Sequence, residues 1–228
     1  PTRRVVLIDR PGAVQTEIRV GNVAIPRNHP DYDALSLAVR VLGGEGANRL
    51  QRMLRSERSL TYGASASLQA LKQAGGIVAE TDTRSEMTGE VLRLMVDEFW
   101  RLQRDEVHPI ELEDAKAYIT GSFPLTIETP DAIAMQVLNV MFYDLDVKTL
   151  QTFRERVNAI RPDDVQRVAR RHLHPNRLSI ALVGDAAVVL PQLKRMGFPD
   201  VEVVAAEDLD VSAVTLKRAR PAAASARP

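Results

Sequence analysis

The chain mixes short stretches of period-two apolar residues with longer ones whose apolar residues recur every three or four positions, so strands and helices can be read from the pattern. Val5 to Ile8 and Val14 to Ile25 are rich in β-branched residues and are split by Arg10-Pro11-Gly12, which predicts two strands joined by a turn. Pro30-Asp31 opens a helix whose Leu35, Leu37, Ala38, Val41 and Leu42 point inward and which runs into Gly43, Gly44 and Gly46. Those glycines are expected to stop it, because glycine tolerates the left-handed geometry of a helix C-terminus. A second helix follows, with Asn48 as N-cap and Gln51 reaching back to it. Its inward stripe is Leu50, Met53 and Leu54, with Arg49, Gln51, Arg52 and Arg55 on or near the outer faces, and it ends near Arg58 or Ser59. From Tyr62 the period changes to two. Tyr62, Ala64, Ala66, Leu68 and Ala70 share one face and Gly63, Ser65, Ser67 and Gln69 the other, which predicts a strand starting at Tyr62.

Ala74-Gly75-Gly76 predicts a hairpin turn into a strand from Ile77 to Asp82. The small residues of this hairpin leave room either for an extended peptide or for a closely packed helix. Ser85 to Arg104 is the longest amphipathic helix, with Met87, Val91, Met95, Phe99 and Leu102 facing the core. Pro109 starts another, with Glu111, Glu113 and Asp114 near the positive end of its dipole, and Pro124 ends it near Phe123. Thr129-Pro130-Asp131 restarts a helix carrying Ile133, Val137, Leu138 and Met141. Shorter helices follow at Leu150 to Ile160 and from Pro162, the latter burying Val165, Val168, Ala169 and Leu173. Leu178 to Val183 is apolar on both faces and reads as a central strand, followed by a helix from Ala187 to Met196 and a strand from Val201 to Ala205. The elements come in blocks, without strict alternation, so the predicted class is α+β, a mainly antiparallel sheet covered by helices. One domain over 1–206 and a disordered tail over 207–228 are expected, since apolar periodicity fades from Glu207.

Composition narrows the function classes. Thirty basic and 30 acidic side chains leave no net charge to attract nucleic acid or membrane, and 4% aromatic residues do not make a base-stacking platform. Cysteine is absent, which excludes disulfides and thiolate metal sites, and no run of 18 apolar residues occurs to span a bilayer. The first residues are Pro1-Thr2-Arg3, with no methionine, which reads as an excised piece or the second half of a longer polypeptide. A missing leader therefore says nothing about export, and the compartment stays open.

Few residues carry chemistry. His172-Leu173-His174 lies at an expected helix end, where spacing of two aims the rings apart, and a structural role is expected there as for His29 and His108. No G-x-S-x-G, phosphate loop or H-x-x-E-H occurs, so no complete catalytic set and no metal site is expected in this chain. What stands out is Arg55 in a last helical turn, seven residues before Tyr62. A guanidinium fork and a phenol facing one cleft are donors suited to peptide carbonyls or to an oxygen gaining negative charge. By composition alone, a solvated helix arginine and a tyrosine packed at a sheet edge are the commoner explanation of such a pair.

The stretch GGEGANRLQRMLRSERSLTYG resembles a segment of the pitrilysin/insulinase-like zinc peptidases, the superfamily of mitochondrial processing peptidase, in the second of their paired domains. Gly43, Gly44, Arg49, Leu50, Leu54, Arg55, Leu60 and Tyr62 match, while Asn48 replaces Ser, Ser56 replaces Glu, Ser59 replaces Gly and Thr61 replaces Ala. The resemblance covers roughly Val5 to Val204. It implies the metallohydrolase fold of that superfamily, with Arg55 and Tyr62 binding substrate backbone. A homologous partner domain or subunit would supply zinc and the general base, and the substrate would be a peptide or unfolded protein. The alternative within the same superfamily is a catalytically silent binding or structural subunit.

Overall fold

The computed structural model describes residues 3–46, 48–214 and 218. In chain order the elements are β1 (Arg4–Asp9), β2 (Gln15–Ala24), α1 (Tyr32–Gly43), a π-helix (Gln51–Glu57), β3 (Ala64–Ala70), β4 (Gly75–Arg84), α2 (Thr88–Arg104), α3 (Pro109–Ser122), a 3-10 segment (Phe123–Ile127), α4 (Pro130–Phe142), α5 (Lys148–Gln151), α6 (Phe153–Ala159), α7 (Pro162–His172), β5 (Ser179–Gly184), α8 (Ala186–Arg195) and β6 (Val201–Ala205). The strands form one sheet in the order β3-β4-β2-β5-β1-β6. β2 pairs antiparallel with β4 and β5, and β3 with β4, while β1 runs parallel to both β5 and β6. The α+β class with a mainly antiparallel, helix-covered sheet therefore holds, with a parallel minority at the β1 end.

Helices cover one face of the sheet. Ile18 and Val20 of β2, Ile77 and Ala79 of β4, Ile180 and Leu182 of β5, and Leu7 of β1 are buried there against Leu35 and Leu42 of α1 and Met95 and Phe99 of α2. Period-two alternation of these strands is the cause, since every second side chain points to the core. For that reason β5 corrects the sequence expectation of two apolar faces. It is central, but Ser179 and Ala181 are exposed on the uncovered side.

α1 lies very close to β3. A Cβ on Gly43 would sit 2.4 Å from the backbone nitrogen of Ala66, so a glycine is required by this approach. This differs from the predicted reason, because among the three glycines only Gly46 has positive φ (+89°) and Gly44 is extended. It also decides the use of the small β3 residues: Ala64 and Ala66 make room for α1. The hairpin turn falls at Leu71 to Ala74, closed by Leu71 N–H donating to Ala74 O at 2.9 Å, and Gly75 and Gly76 belong to β4. Gly75 fits there because a Cβ would meet Ile25 O and Gln69 O at 2.5 and 2.6 Å.

Two other expectations change. Ile133, Met135, Leu138 and Met141 of α4 are exposed, so this helix is not core. The 207–228 tail lies largely outside the described residues, and within the described part Ala206–Asp208 forms a 3-10 turn. No helix among the described residues is long and apolar enough to cross a membrane.

The π-helix is fixed to the body by Arg49, just before it. Arg49 is buried and grips Glu111 of α3 with two parallel bonds, Nε to Oε1 at 3.2 Å and Nη2 to Oε2 at 2.8 Å, and Arg52 Nη2 reaches Oε1 at 3.3 Å. This corrects the outer-face expectation for Arg49, whose partner is sixty-two positions away and invisible to a local pattern. Burial of the Glu111 carboxyl, the largest influence, favours its neutral form, but the bonds and charge of Arg49, then Arg52, outweigh it and hold the group below its ordinary value. Arg49→Ala leaves Glu111 half-paired in a partly buried place and is expected to lower stability by about 2–3 kcal/mol. With a folded pKa below the unfolded one, that stabilisation is complete above the ordinary carboxylate range and is lost as pH falls through the depressed value. Urea titrations from neutral to acid pH should show the gap between wild type and variant closing on the acid side.

Candidate functional site

Arg55 stands on the exposed side of the π-helix, directly after buried Leu54. Asn48 begins this segment as predicted, its Oδ1 accepting from Gln51 N–H at 2.7 Å. Gln51 does not reach back. Its Oε1 accepts from Ala64 N–H at 3.0 Å and ties the helix to the first residue of β3. The wider π turn, in which N–H bonds skip one residue more than in an α-helix, spans Gln51 to Glu57 and so includes Arg55.

The helix leaves through a corner at Ser59, whose φ is +52°, the left-handed region. Ser59 N–H donates to Arg55 O at 3.0 Å and Leu60 N–H to Leu54 O at 2.8 Å, which closes the helix end and drops Leu60 into the core. β4 then holds the chain on both sides of Tyr62. Thr83 Oγ1 donates to Leu60 O at 2.6 Å, and Thr81 Oγ1 to Gly63 O at 2.8 Å, while Gly63 N–H donates to Thr61 Oγ1 at 3.1 Å. Tyr62 itself precedes the strand, which starts at Ala64, and it is 83% exposed instead of sharing the buried face of Ala64 and Ala66. The backbone is thus fixed while the phenol projects, the arrangement in which a binding group loses least freedom on contact.

Arg55 and Tyr62 line one open cavity of about 530 Å³, together with Gln15, Ser59, Thr61, Asp82 and Arg84. Neither side chain has a hydrogen-bond or ion-pair partner among the described residues. Such donors can take carbonyl or anionic oxygens without first breaking an internal contact. A neighbouring hollow shares Asp82 and is lined by Glu17, Arg19, Gln51, Ser65 and Glu80 on the uncovered face of the sheet. Sequence reasoning did not find Gln15, Asp82 or the threonine pins, because β2 and β4 reach this corner only through strand register: Gln15 lies opposite Arg84 and Glu17 opposite Asp82.

His29, His108 and His172 make contacts inside the protein. His108 Nδ1 accepts from Ile110 N–H at 3.3 Å and caps α3. His29, Asp31 and His172 come within 4.8 Å through their polar atoms, a grouping that the sequence did not suggest. Its donors are engaged, however: His29 Nδ1 accepts from Asp31 N–H at 3.0 Å, and Asp31 meets His172 Nε2 at 2.8 Å and Arg167 at 2.8 Å, with Arg171 at 3.5 Å. Burial alone would raise the Asp31 pKa, but His172 and Arg167 outweigh it and hold the group below its ordinary value. Two guanidiniums beside one carboxylate repel a cation, so the trio reads as a tether between the start of α1 and the end of α7.

Ser59 occupies a left-handed position that glycine takes without strain. Ser59→Gly is expected to raise stability by about 0.5–1 kcal/mol, the relief of strain exceeding the added freedom of the unfolded chain. Thermal and urea unfolding check this, and a loss of stability would contradict the assignment of strain to this corner.

The geometry can now be set beside known proteins. The chain is similar to a peptidase M16 inactive domain from Pseudomonas fluorescens, with 28% identity and a TM-score of 0.76 over 81% of this chain and 44% of that one. A protease from Helicobacter pylori shares 17% identity with a TM-score of 0.71, over 80% of this chain and 44% of that one. The periplasmic protease PqqL from Escherichia coli shares 15% with a TM-score of 0.67, over 81% of this chain and 21% of that one. These two show a common fold, and in all three cases this chain spans less than half of the related one. No curated protein matches by sequence. The sequence profile described as peptidase M16 inactive domain matches residues 1–119, which contain the π-helix, Arg55 and Tyr62, and the chain therefore belongs to the peptidase M16 inactive-domain family.

Proposed function

We propose that this chain is the substrate-gripping side of a zinc metalloendopeptidase, with Arg55 and Tyr62 holding the peptide backbone beside the scissile bond. Zinc, its ligands and the general base come from a homologous domain or subunit, because this sequence contains no H-x-x-E-H. The observation that carries the reading is the pair itself: two unpartnered donors on a pinned corner, opening into one cavity. Zinc held by the partner would supply Lewis-acid polarisation of the scissile carbonyl and an activated water. Arg55 and Tyr62 then donate to carbonyl oxygens of the extended peptide and to the oxygen on which charge grows. Fixed donors aimed at developing charge need no reorganisation during the reaction.

A second reading, a silent binding or structural subunit, draws on the inactive-domain description of the matching family. The two readings part in one experiment. With the zinc-bearing partner present, Arg55→Ala and Tyr62→Phe are expected to lower turnover of an unfolded peptide about a hundredfold each. Both side chains are exposed, so folding should change by less than about 0.5 kcal/mol. Unchanged turnover in both variants would favour the silent subunit.

A further inference from the structure

Among the described residues, no element covers most of the surface of α4. At about 3.6 residues per turn, Ile133, Met135, Val137, Leu138, Met141 and Phe142 sweep more than half of its circumference, and all six are exposed. Only Val140 is buried. The helix packs chiefly on the Phe123–Ile127 segment, which is anchored to α6 by Phe123 stacked on Phe153 at 4.6 Å. Its far end is held by the β3–β4 turn, where Lys72 pairs with Asp144 at 3.3 Å and lies over the Phe142 ring. α4 is thus fixed in place with an apolar arc facing outward. A helix that is apolar over so much of its surface belongs inside an assembly.

We infer that this arc of α4 is the docking face for the polypeptide that carries the zinc site, an inference that rests on the function proposed above. The length of two solved relatives argues for the occupant. This chain spans 44% of the Pseudomonas and Helicobacter chains, so more than half of each is polypeptide available to cover such a face. Charge argues against the alternatives. Between Lys116 and Lys148 the sequence has no Lys or Arg, and Glu128, Asp131 and Asp146 flank the arc, while Asp144 is paired with Lys72, a cation placed against the arc at Phe142. An interfacial membrane helix needs basic residues on its polar side, and anionic lipid repels these carboxylates. At 13 residues the helix is about 20 Å long, short of a bilayer core of about 30 Å. Two copies packed through α4 would bring the same carboxylates together. The fitting partner therefore offers an apolar groove rimmed by Lys or Arg.

The test is hydrogen exchange on the unaltered chain, alone and mixed with the H-x-x-E-H segment taken from the same polypeptide or from the adjoining gene. Amides of 130–142 are expected to gain protection in the mixture. Leu138→Glu and Met141→Glu together should weaken the complex at least about tenfold, with circular dichroism unchanged because neither side chain is buried. At saturating partner they should leave turnover intact, whereas Arg55→Ala should change turnover and not affinity, so the docking face and the gripping function fail separately. The inference is overturned if no complex forms, or if one forms with α4 unprotected. It is equally overturned if the same amides are protected by self-association in sedimentation runs or by phosphatidylglycerol vesicles.

Discussion

The fork between Arg49 and Glu111 is the joint on which the site depends. One element, α3, is held to the start of another, the π-helix, by two parallel charge-assisted bonds at 2.8 and 3.2 Å in a partly buried place. Leu50 and Leu54 add apolar contact on the inner side. The helix that carries Arg55 is short and would not persist by propensity alone. It is oriented by this pair at its start and by the Gln51 to Ala64 bond toward β3. The corner after it is held by Thr81 and Thr83. Arg55 and Tyr62 are therefore exposed but held in place, as the proposed gripping role requires.

The second constraint is that, among the described residues, helices cover only one face of the sheet. The other face carries Glu17, Arg19, Glu80 and Asp82 near the candidate site, and Val6, Ile8 and Val78 farther along. A single-layer cover leaves the cavity beside Tyr62 open. The apolar arc of α4 is a separate surface with a separate reason for being exposed. Together they describe a domain whose exposed features make sense in a larger assembly, in keeping with its family and with the share of its relatives that it spans.

Local pattern carried most of the fold. The helices of Leu35 to Leu42 and Met87 to Leu102 and the strands around Ile18 and Ile77 are read correctly because each has one dry and one wet face, which sets a clear period. What the pattern did not hold was long-range. Arg49 looks like an outer residue until α3 brings Glu111 to it, and β5 looks dry on both sides until the helices of the described residues are seen to cover one face. α4 has the composition of a core helix but not its place. At the candidate site, the sharing of one cavity by Arg55 and Tyr62 was expected from their spacing, and the role proposed for them came from the family resemblance alone. The π geometry, the left-handed Ser59 and the threonine pins were not, since each depends on strand register or on a helix end that propensity does not resolve.

The central claim is that this chain grips substrate and lacks the metal. Zinc content and peptidase activity, measured for the chain alone and after mixing with its H-x-x-E-H partner, address it most directly. Zinc and turnover only in the mixture are the predicted result. Zinc-dependent turnover by this chain alone would contradict the account, as would silence in a mixture whose partner has bound its zinc.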